Sequence, residues 1–191
     1  MHVPSGHRPL SLAYCCQVKE TVCLINRIMM HTLRLRDVYP LVCGTQQCGP
    51  GQQWGPAVRD FYLLHYVFDG KGVYISPRGR NTLEPGQMFV IRPGETISYT
   101  ADQAERWSYG WVGFTCGFPL EELLEEDVIA APECVHLFRA LGDADQVSQG
   151  REWYICGKIY ELLALLAAIS SPKQNSAAHY VQLAQNYIPS H

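Results

Sequence analysis

Charge is scarce in this 191-residue chain, in which Asp, Glu, Lys and Arg together supply 17% of the residues. The balance is 15 basic against 18 acidic side chains, a formal net charge of -3. A module that grips nucleic acid by itself carries a clustered basic surface, so nothing electrostatic draws this chain to a polyanion. A CxxC pair is also missing among the eight cysteines, Cys15, Cys16, Cys23, Cys43, Cys48, Cys116, Cys134 and Cys156. Scattered thiols without a secretory leader suit a reducing cytosol, and Cys43 with Cys48 lacks the second ligand pair of a zinc site. The most apolar early stretch, Thr21 to Met30, is broken by Asn26 and Arg27. It is neither a signal-peptide core nor a membrane span, so the expectation is a cytoplasmic protein with no membrane partner.

What the chain does have is 47% hydrophobic residues with 16 Gly and 12 Pro, the mix of a turn-rich globular protein with one principal core. Residues 1–30 form a poorly patterned extension interrupted by Pro4, Gly6 and Pro9, and Met29 or Met30 is an alternative start of translation. From Tyr39 to Phe114 short apolar runs alternate with Gly and Pro turns, the punctuation of an all-β domain. Phe61 to Phe68 enters the turn Asp69-Gly-Lys-Gly72 and leaves as Val73 to Ile75, which reads as a hairpin. Tyr62, Leu64, Tyr66 and Phe68 alternate with Leu63, His65 and Val67, so both faces of this strand need cover, as in a barrel or sandwich. Met88 to Ile91, bracketed by Pro85-Gly86 and Pro93-Gly94, is a short buried strand. In Trp107 to Phe114 a period of two puts Trp107, Tyr109 and Trp111 on one face.

After Pro119 the period becomes helical. Leu120 to Val128 and Glu133 to Leu141 fit short helices, and Glu152 to Ile169 fits a long one. Within it Ile155, Ile159, Leu162, Leu166 and Ile169 recur at steps of four and three, the seam of a helix that packs lengthwise on another, and the expected partner is a second copy of the chain. A second row, Cys156, Tyr160, Leu163 and Ala167, broadens the stripe toward the chain's own barrel. A polar linker from Ser170 to Ser176 precedes a last amphipathic pattern, Ala177 to Ile188. The expected division is an extension over 1–30, a β-domain over 31–118, helices over 119–171, and a linker with the start of a further helix over 172–191.

The series Gly55-Pro56, Arg59-Asp60, Tyr62 to Val67, Gly70-Lys-Gly72, Leu83, Pro85-Gly86-Gln87, Ile91, Pro93-Gly94-Glu95, Tyr99, Trp107 and Tyr109-Gly-Trp-Val-Gly-Phe114 resembles the N-terminal effector-binding domain of AraC-type transcription regulators over roughly residues 35–170. Tyr180 to Ile188 resembles the first helix of that family's helix-turn-helix module, the rest of which lies beyond the sequence. The resemblance implies a mainly β fold with C-terminal helices, a cupin-like double-stranded β-helix, or jelly-roll barrel, followed by a helical dimerisation hairpin. It implies a sugar or other small-metabolite effector inside the barrel, a homodimer, and DNA contact only through the missing C-terminal module. The wording of the GKG, PGQ and YGWVGF segments is most like regulators of oligosaccharide-utilisation genes.

A neutral sugar offers apolar C–H faces and a ring of hydroxyls, so its site needs an aromatic plate plus fixed donors and acceptors. Trp107, Tyr109 and Trp111 supply such a plate, although spacing alone favours ordinary barrel-core packing, because aromatics dominate β cores. The resemblance shifts the balance. In the family's arabinose-binding member the positions matching Tyr99, Tyr109 and Trp111 contact the sugar, with a histidine at the Tyr109 position. An arginine of that member falls here at about Gly55, so that contact is lost, and Arg59 is a nearby candidate donor that also fits a plain ion pair with Asp60. His65, on an apolar strand, is a core residue or a secondary ligand contact. The segment Asp37 to Trp54, rich in Gly and Gln, has the composition of a mobile lid.

The rival class is a metal-dependent cupin enzyme, which holds its ion with two nearby histidines, a carboxylate and a later histidine. Here the barrel has His65 alone, Val67 stands two along, and Ile97, Ser98 and Tyr99 follow Pro93-Gly94-Glu95 where a histidine is needed. No metal, cofactor or catalytic residue is therefore expected. A stand-alone sugar-binding cupin is the other alternative, against which the linker and fresh helix after Ser170 speak.

Overall fold

The computed structural model of the protein describes residues 24–29 and 37–170. The final helical pattern at 177–188 and the extension up to residue 23 lie outside the described residues. Among the described residues ten strands make two antiparallel sheets. They are β1 (Leu24–Met29), β2 (Val38–Cys48), β3 (Gln53–Val58), β4 (Tyr62–Asp69), β5 (Gly72–Ser76), β6 (Gly79–Leu83), β7 (Gln87–Ile91), β8 (Thr96–Ala101), β9 (Trp107–Cys116) and β10 (Val128–Ala130). The larger sheet runs β1-β2-β9-β4-β7-β10 and the smaller β3-β8-β5-β6. The pairings nest, β5 with β6, β4 with β7, β3 with β8 and β2 with β9. That nesting is the jelly-roll topology the resemblance implied. The sheet starts earlier than residue 31, since β1 extends it along β2.

Burial follows the alternation read from the sequence. Leu63, His65 and Val67 of β4 face the smaller sheet together with Phe89, Ile91, Trp107, Tyr109 and Trp111, and Tyr99 of the smaller sheet meets them. Leu64, Tyr66, Val112 and Phe114 face the other way, into a second core closed by the helices. The expected β4–β5 hairpin does not form. β4 pairs with β7 and β9, whereas β5 pairs with β6 and β8, so the Asp69–Gly72 corner carries the chain from one sheet to the other. A strand apolar on both faces needs a neighbour on each edge and a layer on each side, which an isolated hairpin does not provide, and the same glycine turn serves either path. Gly70 sits at φ +75, and a Cβ there would lie 1.6 Å from the Arg106 carbonyl oxygen. The true hairpin is β5–β6, closed across Pro77-Arg78 between Ser76 and Gly79.

The stretch read as a helix over 120–128 is an arch instead. Buried Arg92 donates from Nε to the Leu124 carbonyl (2.8 Å), from Nη1 to Asp127 Oδ1 (2.7 Å) and from Nη2 to the Glu126 carbonyl (2.9 Å) and that of Glu125. Carbonyls bent around one guanidinium are lost to an i→i+4 ladder, and Ser76 Oγ completes the clamp by donating to Asp127 Oδ2. Beyond it, a 3₁₀ turn, Pro132–Cys134, opens α1 (Val135–Gly142), and α2 (Arg151–Ser170) closes the described chain.

The seam expected on α2 requires a correction. Ile155, Ile159, Leu162 and Leu166 are fully buried against this chain's own barrel and α1, in the cluster holding Val38, Cys43, Val112 and Phe138, and only Ile169 is partly exposed. Heptad-like spacing reports that a face is covered, not by what. The face turned to water carries Trp153 (64% exposed), Gly157, Tyr160 (44%), Ala164 and Ala168. α2 is long and apolar enough to cross a membrane, but its inward row is the core of this domain. None of the five described cysteines is in a disulfide.

Candidate functional site

The interior face of the barrel converges on His65. Its ring stacks on Phe89 at 4.5 Å with 9° between planes, and Tyr109 (5.2 Å), Tyr99 (5.3 Å) and Trp111 (6.1 Å) surround it. Strand register explains the convergence: His65 pairs with Trp111 on one side and Phe89 on the other, while Tyr99 reaches across from β8 in the facing sheet. Among the described residues His65 Nδ1 is buried without a hydrogen-bond partner, and so is Trp107 Nε1. Burial, and then the charge of Arg59, push the His65 pKa down to about 3, so the imidazole is neutral at any ordinary pH. Burial raises the phenols of Tyr99 and Tyr109, which stay protonated hydroxyls. Tyr109 Oη donates to Gln46 Oε1 on β2 at 3.0 Å.

The interior is graded from deep to shallow. Trp107 lies deepest, its ring flat on Gly72, where a Cβ would come within 2.9 Å of it. Tyr109 follows, 4.9 Å from Trp107, and Trp111, 8% exposed, is the most exposed of the three rings. The rings touch one another, so a guest must displace part of this packing. The outermost cover is a stack that spacing did not reveal: Trp54 of β3 lies on Tyr99 (5.2 Å, 16°), and the Arg59 guanidinium lies over the Trp54 ring at 4.6 Å. Both are half-buried. Among the described residues Arg59 forms no ion pair with Asp60; burial lowers its pKa, the nearby Tyr99 phenol opposes that, and Arg27 adds to it.

All six sequence-derived candidates are thus placed. His65, Tyr99, Tyr109, Trp111 and Trp107 are one contiguous interior cluster, and Arg59 caps it through Trp54. Trp54, Phe89 and Gln46 are the additions. Phe89 was findable, since it shares the period of two with Ile91; Trp54 was hidden, because the register shift between Trp54 and Ala57 breaks the alternation of β3. The same region corrects the lid expected over 37–54. Residues 38–48 are an eleven-residue strand paired with β9 along its length, because a Gly- and Gln-bearing segment still supplies backbone hydrogen bonds and six buried residues, Val38, Pro40, Val42, Cys43, Gly44 and Cys48.

Comparison with known proteins fits this geometry. Residues 39–183 match the family model described as the AraC-like ligand binding domain. The raffinose operon transcriptional regulatory protein of Pediococcus pentosaceus is 34% identical over 92 residues, 47% of this chain and 33% of that protein. The Msm operon regulatory protein of Streptococcus mutans is 28% identical over 134 residues, 64% of this chain and 48% of that protein. The chain therefore spans about a third to a half of the length of these relatives. Among solved structures, YhaK of Escherichia coli aligns at 12% identity and a TM-score of 0.47, covering 56% of this chain and 51% of that one. A cupin superfamily protein of Desulfitobacterium hafniense aligns at 14% and 0.38, covering 58% and 93%. Likeness at this level adds nothing to what the sheets themselves show.

Proposed function

The chain belongs to the AraC-like ligand-binding domain family, and from that premise we propose that it is the effector-sensing and dimerising part of a bacterial transcription regulator of sugar-utilisation genes. The observation that carries the proposal is the interior cluster itself. Three aromatic rings of β9 and a neutral imidazole, whose Nδ1 has no hydrogen-bond partner among the described residues, pack together in one interior cluster that a guest opens by displacing part of the packing. Sugar C–H faces match the rings, and a hydroxyl matches Nδ1 of His65, the Tyr109 phenol and the Trp107 indole N–H. The effector class is a neutral sugar, and an α-galactoside such as raffinose is the first candidate, given the similarity to the raffinose operon regulatory protein of Pediococcus pentosaceus. No step of chemistry is assigned to these residues, and the protein works in the cytoplasm.

Guest entry displaces the Arg59–Trp54 cover. An aromatic stack is worth about 0.5–1.5 kcal/mol beyond its buried area, so sugar contacts of ordinary strength offset it. Output requires unequal affinity for two arrangements of the domain. β2 is the connecting element, since Gln46 holds Tyr109 from its inner side while Val38 and Cys43 pack toward α1 and α2 on its outer side. Self-association uses the exposed row Trp153, Gly157, Tyr160, Ala164 and Ala168, and contact with DNA belongs to the part of the relatives' length that this chain does not cover. Calorimetric titration of the chain and of Trp111→Ala with α-galactosides tests the reading. A Kd at least tenfold weaker in the variant is expected, and undiminished binding removes Trp111 from the site.

A further inference from the structure

The register of the larger sheet sets five positions in one line across it. Arg27 of β1 pairs with Gly44, Gly44 with Trp111, Trp111 with His65 and His65 with Phe89. Directly opposed residues of antiparallel strands share a face, so the line that carries the interior rings begins, at the edge of the sheet, with a guanidinium. The smaller sheet has a matching line of Trp54, Tyr99 and Tyr74. The two lines face each other in step, with Tyr74 against Phe89 at 4.9 Å and Tyr99 against His65 at 5.3 Å. One further step sets Trp54 across from Trp111. There the ring packing stops: among the described residues Trp111 meets His65 and Tyr109, and Trp54 meets Tyr99 and Arg59, but the two indoles do not stack on each other.

On this side β1 and β3 are the edge strands of their sheets, so they bound the gap between the layers, which fits Trp111 being more exposed than Trp107 and Tyr109. Gly44 brings no side chain to the line. The stretch of sheet from Trp111 to Arg27, two strand spacings or about 10 Å, therefore has backbone alone as its floor. Arg27 is exposed at the outer end of this floor, and Arg59 is half-buried on the opposite lip, just after β3. Burial lowers the Arg59 pKa, the Tyr99 phenol opposes that, and the charge of Arg27 lowers it further, so the two guanidiniums lie within reach of each other's field. Neither guanidinium has a hydrogen bond or ion pair with another described residue. Two donor-only groups facing one gap suit a guest that supplies acceptors.

We infer that Arg27 is an effector-contacting residue: the sugar ring lies on Trp111 above Gly44, and Arg27 and Arg59 donate to its hydroxyls from the two lips of the gap. The inference rests on the sugar-sensing reading and adds to it a donor from β1, a seat and a side of entry. When Trp54 lifts from Tyr99, the guest moves in against Trp111. Arg59 loses the indole beneath it and turns its donors to the guest, while Arg27 holds the ring from the β1 side. A planar guanidinium suits this task, since its fork of N–H groups meets two neighbouring hydroxyl oxygens at once.

The experiment is calorimetric titration with raffinose of the native chain and of Arg27→Leu, Arg27→Lys, Gly44→Val and Trp111→Ala, each accompanied by a urea melt. Arg27→Leu removes the donors and binds about tenfold more weakly, a difference of about 1.4 kcal/mol, with the urea midpoint unchanged because the side chain is exposed. Arg27→Lys returns a cation with donors and recovers part of the affinity. Gly44→Val raises a side chain in the seat and weakens binding at least tenfold; Gly44 has no positive φ, so its backbone accepts valine. Native-like binding by Arg27→Leu overturns the role of Arg27. A loss of binding that comes with a lowered urea midpoint does so too, since it marks a structural residue. Native-like binding by a folded Gly44→Val overturns the seat, and should that variant unfold, the two Arg27 variants decide alone. In each of these cases weakened binding by Trp111→Ala leaves the sugar-sensing reading standing. Raffinose binding that Trp111→Ala does not weaken, or none by the folded native chain, overturns both.

Discussion

Replacing His65 with phenylalanine separates the two properties that the structure gives this residue, a buried ring and a titrating nitrogen. The ring is stacked on Phe89 and fully enclosed, so phenylalanine keeps the stack and removes the unpartnered Nδ1. Leaving a buried acceptor unsatisfied costs about 1–3 kcal/mol, and the slightly larger ring costs a comparable amount through overpacking, so the two proteins have similar stability near pH 7.5. Their difference then depends on pH with a definite sign. The imidazole takes a proton near pH 6.5 when unfolded but only near pH 3 when folded, so between those values the unfolded state holds the extra proton. Stability of the native chain is complete above pH 6.5 and declines below it by up to about 1.4 kcal/mol per pH unit. At pH 5 the variant is thus about 2 kcal/mol more stable relative to native than at pH 7.5. Urea unfolding at the two pH values, followed by tryptophan fluorescence, measures this. A difference that does not change with pH refutes the neutral buried imidazole. Calorimetry on the same variant gives at least tenfold weaker sugar binding, because the nitrogen facing the guest is gone.

Other outcomes follow from the same geometry. Arg92→Met removes the buried cation beside Asp127, which keeps Ser76 and the half-exposed Arg78 at 3.4 Å, and frees the 124–126 carbonyls; unfolding experiments read a loss of about 3 kcal/mol, and a loss under 1 kcal/mol contradicts the clamp. On the proposed reading the chain is expected to sediment as a dimer, and Trp153→Glu with Tyr160→Glu to give a folded monomer in analytical ultracentrifugation; an unchanged dimer mass contradicts the outward face of α2. Leu162→Glu does something different, since it places a charge in the chain's own core, and circular dichroism shows loss of the fold rather than a clean monomer.

The contrast between Leu162 and Tyr160 shows where sequence reading stops. Periodicity located α2 to within a residue at each end, from Glu152–Ile169 expected to Arg151–Ser170 found, because burial of one helical face imposes its own period. It did not say which surface covers that face, and the row that looked like a dimer seam is the one closed by the barrel. The β4–β5 corner is the same lesson in a sheet. Strand identity and the inward set of β9 were legible from a period of two, but pairing is a long-range choice that a glycine turn leaves open. The 120–128 arch was hidden for another reason, since its shape is set by a guanidinium some thirty residues earlier. Within the site, the inward aromatics of β9 were readable, whereas Trp54 was not, because its strand is irregular and its role depends on Tyr99 and Arg59 arriving from elsewhere in the chain.

The most direct measurement is a crystal structure of this chain grown with raffinose. The account predicts a galactose ring stacked on Trp111 within hydrogen-bond distance of His65 Nδ1, with Trp54 and Arg59 moved from their present stack. A sugar seated only on the outer surface, with the interior rings still in mutual contact as described here, contradicts it.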